Sequence, residues 1–309
     1  MQEYIVSARK YRPMTFDTVV GQQSLTTTLK NAIHSGKLAH AYLFCGPRGV
    51  GKTTCARIFA KTINCLSPQA DGESCGQCES CRSFDEGRSM NIHELDAASN
   101  NSVEDIRELI KQVQIPPQTG KYKVFIIDEV HMLSTSAFNA FLKTLEEPPH
   151  YVIFILATTE KHKILPTILS RCQVYDFSRI TLSDTVNHLK QVAQKEGYTV
   201  DDEALKLIAE KADGGMRDAL SIFTVGVVLH GLADYVSDLV VLTVVDGFHR
   251  MQNTALHGFE TILNSRYSAF EYHVRSIVQE PVLVHAGKMI LHSIIKTPLA
   301  CHASVILSY

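Results

Sequence analysis

This chain of 309 residues lacks a long apolar segment and an excess of either charge. It has no run of 18 apolar residues, so we expect no membrane-spanning helix. The first 13 residues contain no apolar core of the kind that a secretory signal requires, and we expect a cytoplasmic protein. Lys and Arg number 30 against 32 Asp and Glu, so contact with a nucleic acid would require a local basic patch or an assembly.

The chain does contain a regular alternation of short apolar runs and amphipathic stretches. The apolar runs predict strands at 41–45, 92–97, 123–128, 151–158 and 173–177. The amphipathic stretches predict helices at 23–35, 52–64, 103–112 and 134–145. Such an alternation is typical of an α/β fold with a parallel sheet, which we place at 1–178. Further helices at 182–196, 202–212 and 217–223 predict a small helical domain at 179–223.

A glycine-rich loop between the first strand and the helix after it fits the pattern G-x-x-x-x-G-K-[ST]. Its residues are Gly46, Pro47, Arg48, Gly49, Val50, Gly51, Lys52 and Thr53. Glycines let several backbone N–H groups point at one phosphate, and the positive end of the following helix adds to the attraction. The pattern predicts a nucleoside-triphosphate site in which Lys52 reaches the β- and γ-phosphates and Thr53 ligates Mg²⁺.

Two adjacent carboxylates, Asp128 and Glu129, follow the apolar residues of the strand at 123–128. The carboxyl ends of parallel strands form the edge where ligands collect in open α/β sheets, so the pair should lie beside the phosphate loop. We expect Asp128 to hold Mg²⁺ through water and Glu129 to orient and polarise the attacking water. A strand that merely ends in solvated acids is the alternative.

Four of the eight cysteines lie close together in the sequence; they are Cys65, Cys75, Cys78 and Cys81. C-x-x-C spacing lets two thiolates bind one metal ion from a tight turn, and four sulfurs complete a tetrahedron. The spacing predicts a structural zinc (Zn²⁺) module at 65–81, with an iron–sulfur cluster or redox-active thiols as alternatives. We expect loss of the metal to destabilise residues 65–90 more than it weakens nucleotide binding.

Longer segments resemble the bacterial DNA polymerase III gamma/tau family, the ATPase subunits of the replicative clamp loader. They run in the family's order from Ala8 to Phe223 and are ARKYRPMTFDTVVGQ, HAYLFCGPRGVGKTT, the four-cysteine insertion, DAASNNSVEDIREL, IIDEVHMLS, LKTLEEPP, LATTEKHKILPTILSRC and GGMRDALS. The resemblance implies an AAA+ P-loop sheet followed by a helical lid, with ATP and Mg²⁺ bound.

The resemblance also implies roles for single residues. Thr158 and Thr159, of which Thr159 is the better match, correspond to a sensor of the γ-phosphate. Arg171 corresponds to an arginine finger that enters a neighbouring subunit's ATP site, and Arg217 to a second sensor in the lid. An ordinary surface arginine is the alternative for Arg171. The segment that wraps the adenine in this family corresponds to Tyr11, Arg12, Pro13, Val20 and Gly21, for which simple packing is the alternative. Thr54 is the remaining nucleotide-binding residue.

By the same resemblance the chain is an ATP hydrolase of the polymerase holoenzyme that opens a sliding clamp and places it on primed DNA. Its partners would be the other clamp-loader subunits, the clamp and the DNA. Two other functions remain open. A non-hydrolysing AAA+ scaffold would not need Lys52, Asp128, Glu129 and Arg171 together. A helicase-type AAA+ motor shares the core motifs, but nothing in that class requires the four-cysteine insertion.

Residues 224–309 depart from the family, whose members continue into a helical collar domain. Only 11 of these 86 residues are charged, against 51 of the first 223, and seven of the 14 histidines lie here. The segment shows no sustained helical or strand period. These features are typical of an out-of-frame translation, and a divergent domain is the alternative. We expect an aberrant tail that forms a collar-held oligomer poorly.

Overall fold

The computed structural model describes residues 7–227, and its centre is one five-stranded sheet. The strands are β1 (Ala41–Cys45), β2 (Ile92–Asp96), β3 (Lys123–Asp128), β4 (Val152–Thr158) and β5 (Gln173–Asp176). All are parallel, in the spatial order β2-β3-β4-β1-β5. The predicted parallel sheet is confirmed, and each strand lies within one residue of its predicted bounds.

Burial explains why these residues form central strands. Every residue of β1 and β4 is buried, and in β3 only the final Asp128 is partly exposed. Branched and aromatic side chains pack well on a sheet that is covered on both faces. Alternate residues therefore enter two cores, one containing Tyr42 and Phe44 and the other containing Leu43 and Phe125. The carboxyl ends of the three central strands meet at one edge.

Helices cover both faces of the sheet and then continue beyond it. They are α1 (Ser7–Lys10), α2 (Gln23–His34), α3 (Lys52–Ile63), α4 (Glu79–Asp85), α5 (Val103–Val113), α6 (Thr135–Glu146), α7 (Pro166–Leu169), α8 (Leu182–Glu196), α9 (Asp202–Lys211) and α10 (216–227). α2 and α3 pack on one face of the sheet, and α5 and α6 on the other. Every helix predicted from the sequence is present. Among residues 7–227, no helix is both long enough and apolar enough to cross a membrane.

Three short helices, α1, α4 and α7, were not predicted. None exceeds seven residues, so each contains too few turns for its apolar period to be recognised. α4 carries Cys81, and the Lys61 ammonium on α3 contacts the Asp85 carboxylate on α4 at 2.8 and 2.6 Å. The segment of the four cysteines is thereby attached to the helix that follows the phosphate loop.

The last three helices, α8 to α10, form a small unit with its own core, which we call the lid. Leu189, Leu205 and Phe223 are buried in that core. α10 continues to residue 227, four residues beyond its predicted end, because Val227 packs against the same core. Of the predicted aberrant tail, residues 228–309 lie outside the described residues. The proposed domain limits, 1–178 and 179–223, stay a prediction.

Candidate nucleotide site and metal centre

A cavity of about 300 Å³ lies between the phosphate loop and the lid. Its size is at the lower end of the range for small-molecule sites. Most of the predicted nucleotide-binding residues line it, namely Tyr11, Arg12, Pro13, Val20, Arg48, Gly49, Val50, Gly51, Lys52, Thr53, Thr54, Asp128, Glu129 and Arg217. The fold thus brings together residues that are about 200 positions apart in the sequence, as long-range packing in one domain allows.

The phosphate loop begins at a position that only glycine can occupy. Gly46 has a φ of +148°, and a Cβ at this residue would lie 2.5 Å from the carbonyl oxygen of Phe177. The loop ends at Gly51, where α3 begins. The first N–H groups of α3 have no acceptor within the helix and are available to an anion at this point.

Lys52 is buried at the base of the loop, where only 5% of its surface is exposed. Its ammonium donates to the carbonyl oxygens of Gly46 and Pro47, each at 2.7 Å. Burial lowers the pKa of Lys52, while the nearby carboxylates of Glu129 and Asp128 oppose that effect. A partly desolvated ammonium in such a loop interacts strongly with phosphate oxygens.

Thr53 and Asp128 meet although they are 75 positions apart in the sequence. The Thr53 hydroxyl donates to a carboxylate oxygen of Asp128 at 2.6 Å. A hydroxyl and a carboxylate are hard oxygen ligands, the kind that Mg²⁺ prefers, and they lie directly beside the phosphate loop. The donor set therefore fits the predicted magnesium site.

Glu129 follows β3 with a φ of +46°, an unusual value for a residue other than glycine. Its carboxylate accepts two hydrogen bonds from Thr159, one from the hydroxyl at 2.9 Å and one from the backbone N–H at 3.2 Å. Glu129 also lines the cavity. The left-handed backbone and the two donors hold a carboxylate at the position from which a water beside the phosphate loop could be polarised.

Thr158 lies behind this pair and is fully buried. Its hydroxyl is 3.0 Å from Nδ1 of His131, and Nε2 of the same imidazole is 3.2 Å from a carboxylate oxygen of Glu160. Of the two predicted sensor residues, Thr159 therefore contacts Glu129, whereas Thr158 supports the strand end through His131. His131 was missed because a single histidine in a turn forms no recognisable pattern.

The N-terminal segment connects the lid to α3. The Tyr11 hydroxyl donates to a carboxylate oxygen of Glu196 on α8 at 2.6 Å, and Nε of Arg12 donates to the Thr54 hydroxyl at 3.3 Å. Burial raises the pKa of Tyr11 and lowers the pKa of Arg12. Both side chains line the cavity, so this segment forms one of its walls.

The lid approaches the loop through glycines. The backbone N–H of Arg217 donates to the carbonyl oxygen of Gly49 at 3.4 Å. A Cβ on Gly49 would lie 3.2 Å from Cα of Gly215, so larger residues would force the lid away from the loop. This contact places Arg217 at the cavity.

Six further residues line the cavity and were not predicted: Arg9, Val19, Ile180, His188, Met216 and Leu220. On the lid, Met216 and Leu220 occupy apolar helical positions that look like core positions in the sequence. Burial lowers the pKa of His188, which favours a neutral imidazole near pH 7. Gly21 is not among the residues that line the cavity, but it lies against Ile180, which does line it. A Cβ on Gly21 would lie 3.1 Å from Cγ2 of Ile180.

Arg171 is not among the residues that line this cavity. One Nη atom lies 2.7 Å from a carboxylate oxygen of Glu146, and the other donates to the carbonyl oxygen of Thr167 at 2.6 Å. Its side chain is about one-third exposed at the surface. The structure therefore separates Arg171 from the other predicted catalytic residues of the same chain.

The four cysteine sulfurs converge: all lie within 4.8 Å of one another, and those of Cys65 and Cys78 are 4.0 Å apart. A tetrahedral zinc ion with Zn–S bonds of ~2.3 Å requires S···S distances of about 3.8 Å. Backbone N–H groups of Gln77 and Cys78 donate to the Cys75 sulfur and lower its pKa to about 6. The backbone N–H groups thus favour the thiolate form of Cys75. With four soft sulfur donors, the group fits a closed metal site.

Comparison with solved structures identifies the class of the fold. The structure of Thermotoga maritima RuvB, a Holliday junction branch migration motor, matches with a TM-score of 0.53 over 72% of this chain and 67% of that chain, at 21% identity. This likeness concerns the fold alone. Together with the phosphate loop, the strand order and the lid, it defines an ATPase fold of the AAA+ class.

Sequence comparison identifies the family. The family described as DNA polymerase III, delta subunit matches residues 21–181, and the one described as DNA polymerase III clamp loader subunit, ATPase lid domain matches residues 184–224. DNA polymerase III subunit tau of Bacillus subtilis is 50% identical over 76% of this chain. Subunit tau/gamma of Haemophilus influenzae is 48% identical over 71% of this chain. The chain belongs to the family of DNA polymerase III gamma/tau clamp-loader subunits.

The matched region is a fraction of each relative. It spans 42% of the Bacillus subtilis subunit and 32% of the Haemophilus influenzae subunit.

Proposed function

We propose that this chain uses ATP binding and hydrolysis, as a subunit of a bacterial replicative clamp loader, to place a sliding clamp on primed DNA. One observation carries the proposal: Lys52, Thr53, Asp128 and Glu129 lie around one cavity at the end of the phosphate loop. The membership in the gamma/tau family supplies the biological setting. It supports the proposal that the chain is a component of the DNA polymerase III holoenzyme.

Each of these residues has a role that follows from its surroundings. The phosphate loop and Lys52 bind the triphosphate, and Thr53 and Asp128 hold Mg²⁺, which neutralises phosphate charge when bound. Glu129, held by Thr159, orients the attacking water and accepts its proton. Arg217 lines the cavity from the lid, where its positive charge would attract the bound phosphates.

The position of Arg171 supports a role in an assembly. It lies at the surface and outside the cavity of its own chain, so its guanidinium would reach a neighbouring subunit's site by leaving Glu146 and Thr167. An arginine supplied by a second subunit stabilises transition-state charge and makes hydrolysis depend on assembly. The partners that we propose are the other clamp-loader subunits, the sliding clamp and primed DNA.

Two alternative functions are less well supported. A non-hydrolysing scaffold has no need of a carboxylate held in a left-handed backbone conformation beside the phosphate loop. A branch-migration motor has the same fold as this chain, but the sequence families that match this chain are those of DNA polymerase III.

Replacement of Lys52 by Ala tests whether the cavity binds ATP. The ammonium is buried against the loop, so its loss should weaken ATP binding at least tenfold. Isothermal calorimetry on the full chain with MgATP gives the dissociation constant. Lys37→Ala is the matched control, because Lys37 is exposed and away from the cavity. Equal affinities of Lys52→Ala and the parental chain would reject this site.

Zinc is the metal that best fits the four cysteines, because four thiolates at these distances leave no open position for catalysis. The purified, reduced protein should therefore contain about one zinc ion per chain by elemental analysis. Cys78→Ala should lower the zinc content severalfold, whereas Cys55→Ala, which removes a buried cysteine outside the group, should leave it unchanged. Iron and inorganic sulfide in place of zinc would indicate an iron–sulfur cluster instead.

A further inference from the structure

Glu73 lies within the loop that separates Cys65 from Cys75, and its carboxylate is buried although it is not part of the nucleotide cavity. Only 4% of its side chain is exposed. Burial of a charged carboxylate is strongly unfavourable unless donors surround it. The donors around Glu73 therefore indicate what this residue does.

Two of the donors come from the N-terminal segment of the chain. The backbone N–H of Phe16 donates to one carboxylate oxygen of Glu73, and the backbone N–H of Asp17 donates to the other, both at 3.2 Å. Phe16 and Asp17 begin the 3₁₀ turn Phe16–Thr18, whose first N–H groups have no acceptor within the turn. Glu73 satisfies these groups from a distant part of the sequence and fixes the position of the turn.

Lys30 on α2 completes the group. Its ammonium lies 2.8 Å from a carboxylate oxygen of Glu73 and 2.7 Å from a carboxylate oxygen of Asp17. The Lys30 side chain is largely sheltered from solvent, at 18% exposure. The carboxylate of Glu73 is thus held by donors from the turn and from a helix on the face of the sheet.

The turn that Glu73 holds continues directly into a wall of the nucleotide cavity. Val19 and Val20 follow Phe16–Thr18, and both line the cavity. Phe16 and Val19 are also buried in the core beneath the cavity. Because these residues are packed on both sides of the turn, its displacement would move the wall.

The backbone of Glu73 belongs to a loop whose two ends, Cys65 and Cys75, lie close together. The backbone N–H of Cys75 donates to the Cys65 sulfur at 3.3 Å, and the N–H of Gln69 donates to the carbonyl oxygen of Glu73 at 2.9 Å. A metal ion that joins the sulfurs of Cys65 and Cys75 would close this loop and reduce its conformational freedom. The metal would therefore limit how far Glu73 can move relative to the 3₁₀ turn.

We infer that the four-cysteine module braces the nucleotide site, with Glu73 as the positioning residue that fixes the wall formed by Val19 and Val20. The contact between Lys61 and Asp85 joins the same module to α3. Loss of the metal would then weaken nucleotide binding, contrary to our expectation that its effect falls mainly on residues 65–90. The inference rests on the proposed function, because it assigns the cavity to ATP.

The test compares two ligands of the full chain by calorimetry: MgATP and inorganic tripolyphosphate with Mg²⁺. Tripolyphosphate can reach the phosphate loop but has no base or ribose to contact the wall. Glu73→Gln replaces one acceptor by an amide and leaves a backbone N–H without a partner. The dissociation constant for ATP should rise roughly 3- to 30-fold, and that for tripolyphosphate should stay unchanged. Removal of the metal by a chelator should produce the same pattern.

Glu79→Gln is the matched control, because Glu79 belongs to the same module, is exposed and has no ion-pair or hydrogen-bonding side-chain partner within residues 7–227. Amide exchange at residues 16–20 should accelerate in Glu73→Gln and not in Glu79→Gln. If Glu73→Gln does not fold, Lys30→Met removes one donor only and should shift ATP affinity in the same direction by a smaller factor.

Three outcomes would overturn the inference. Unchanged ATP affinity with unchanged amide protection, or equal losses for ATP and tripolyphosphate, would show that Glu73 does not position the wall, while the proposed function would stand. If the parental chain bound neither ligand, the proposed function and the inference would both fail.

Discussion

Glu129→Gln should abolish ATP turnover, with a loss of at least 100-fold, while ATP still binds. Glutamine retains an oxygen that can accept the hydrogen bonds from Thr159, so the geometry at the end of β3 should survive. A neutral amide cannot accept a proton from water, and general-base catalysis typically contributes 10²- to 10⁴-fold. Removal of a negative charge beside the triphosphate should also leave binding at least as tight.

Phosphate release under saturating ATP measures the turnover, and calorimetry measures the affinity. Glu210→Gln serves as the control, because Glu210 is exposed on the lid and does not line the cavity. If Glu129→Gln hydrolysed ATP at the parental rate, Glu129 would not be the residue that activates water.

Arg171→Ala should have no effect on the isolated chain and a large effect in an assembly. The ATP affinity of the isolated chain should stay within about twofold of the parental value, because Arg171 is not among the residues that line the cavity. In a reconstituted clamp loader, DNA-stimulated turnover should fall by about 10³-fold, the lower range for an arginine finger. Nucleotide titration and phosphate release measure the two effects separately.

Arg88→Ala controls for the loss of a surface charge, since Arg88 is exposed and its ion pair is with Glu86. A large loss of ATP affinity in isolated Arg171→Ala would contradict the assignment. It would indicate that Arg171, through Glu146 and Thr167, holds its own chain's structure instead.

The features that could be predicted from the sequence are those whose residues are close together in the chain. The phosphate loop, the acidic pair at the end of β3 and the cysteine spacing each carry their chemistry within a short segment. The strands were predictable for a similar reason, because a strand that is buried on both faces must be apolar throughout. The parallel α/β sheet followed from the alternation of these strands with amphipathic helices, whereas the AAA+ class was implied only by the resemblance to the gamma/tau family.

The features that could not be predicted depend on contacts between distant residues. Glu73 and Phe16 are 57 positions apart, and no pattern in either segment indicates that they meet. The lid residues at the cavity, such as Met216 and Leu220, occupy positions that would be core in any amphipathic helix. The ion pair of Arg171 with Glu146 could also not be predicted, because the two residues lie in different segments and neither segment carries a pattern that joins them.

ATP turnover by the full chain tests the central claim most directly. The chain should be mixed with the other clamp-loader subunits, and phosphate release should be measured with and without the sliding clamp and primed DNA. The account predicts ATP hydrolysis that the clamp and primed DNA together increase, and that depends on Lys52 and Glu129. If the chain bound ATP tightly but showed no turnover in all of these conditions, the account would be contradicted and the chain would be a non-hydrolysing scaffold.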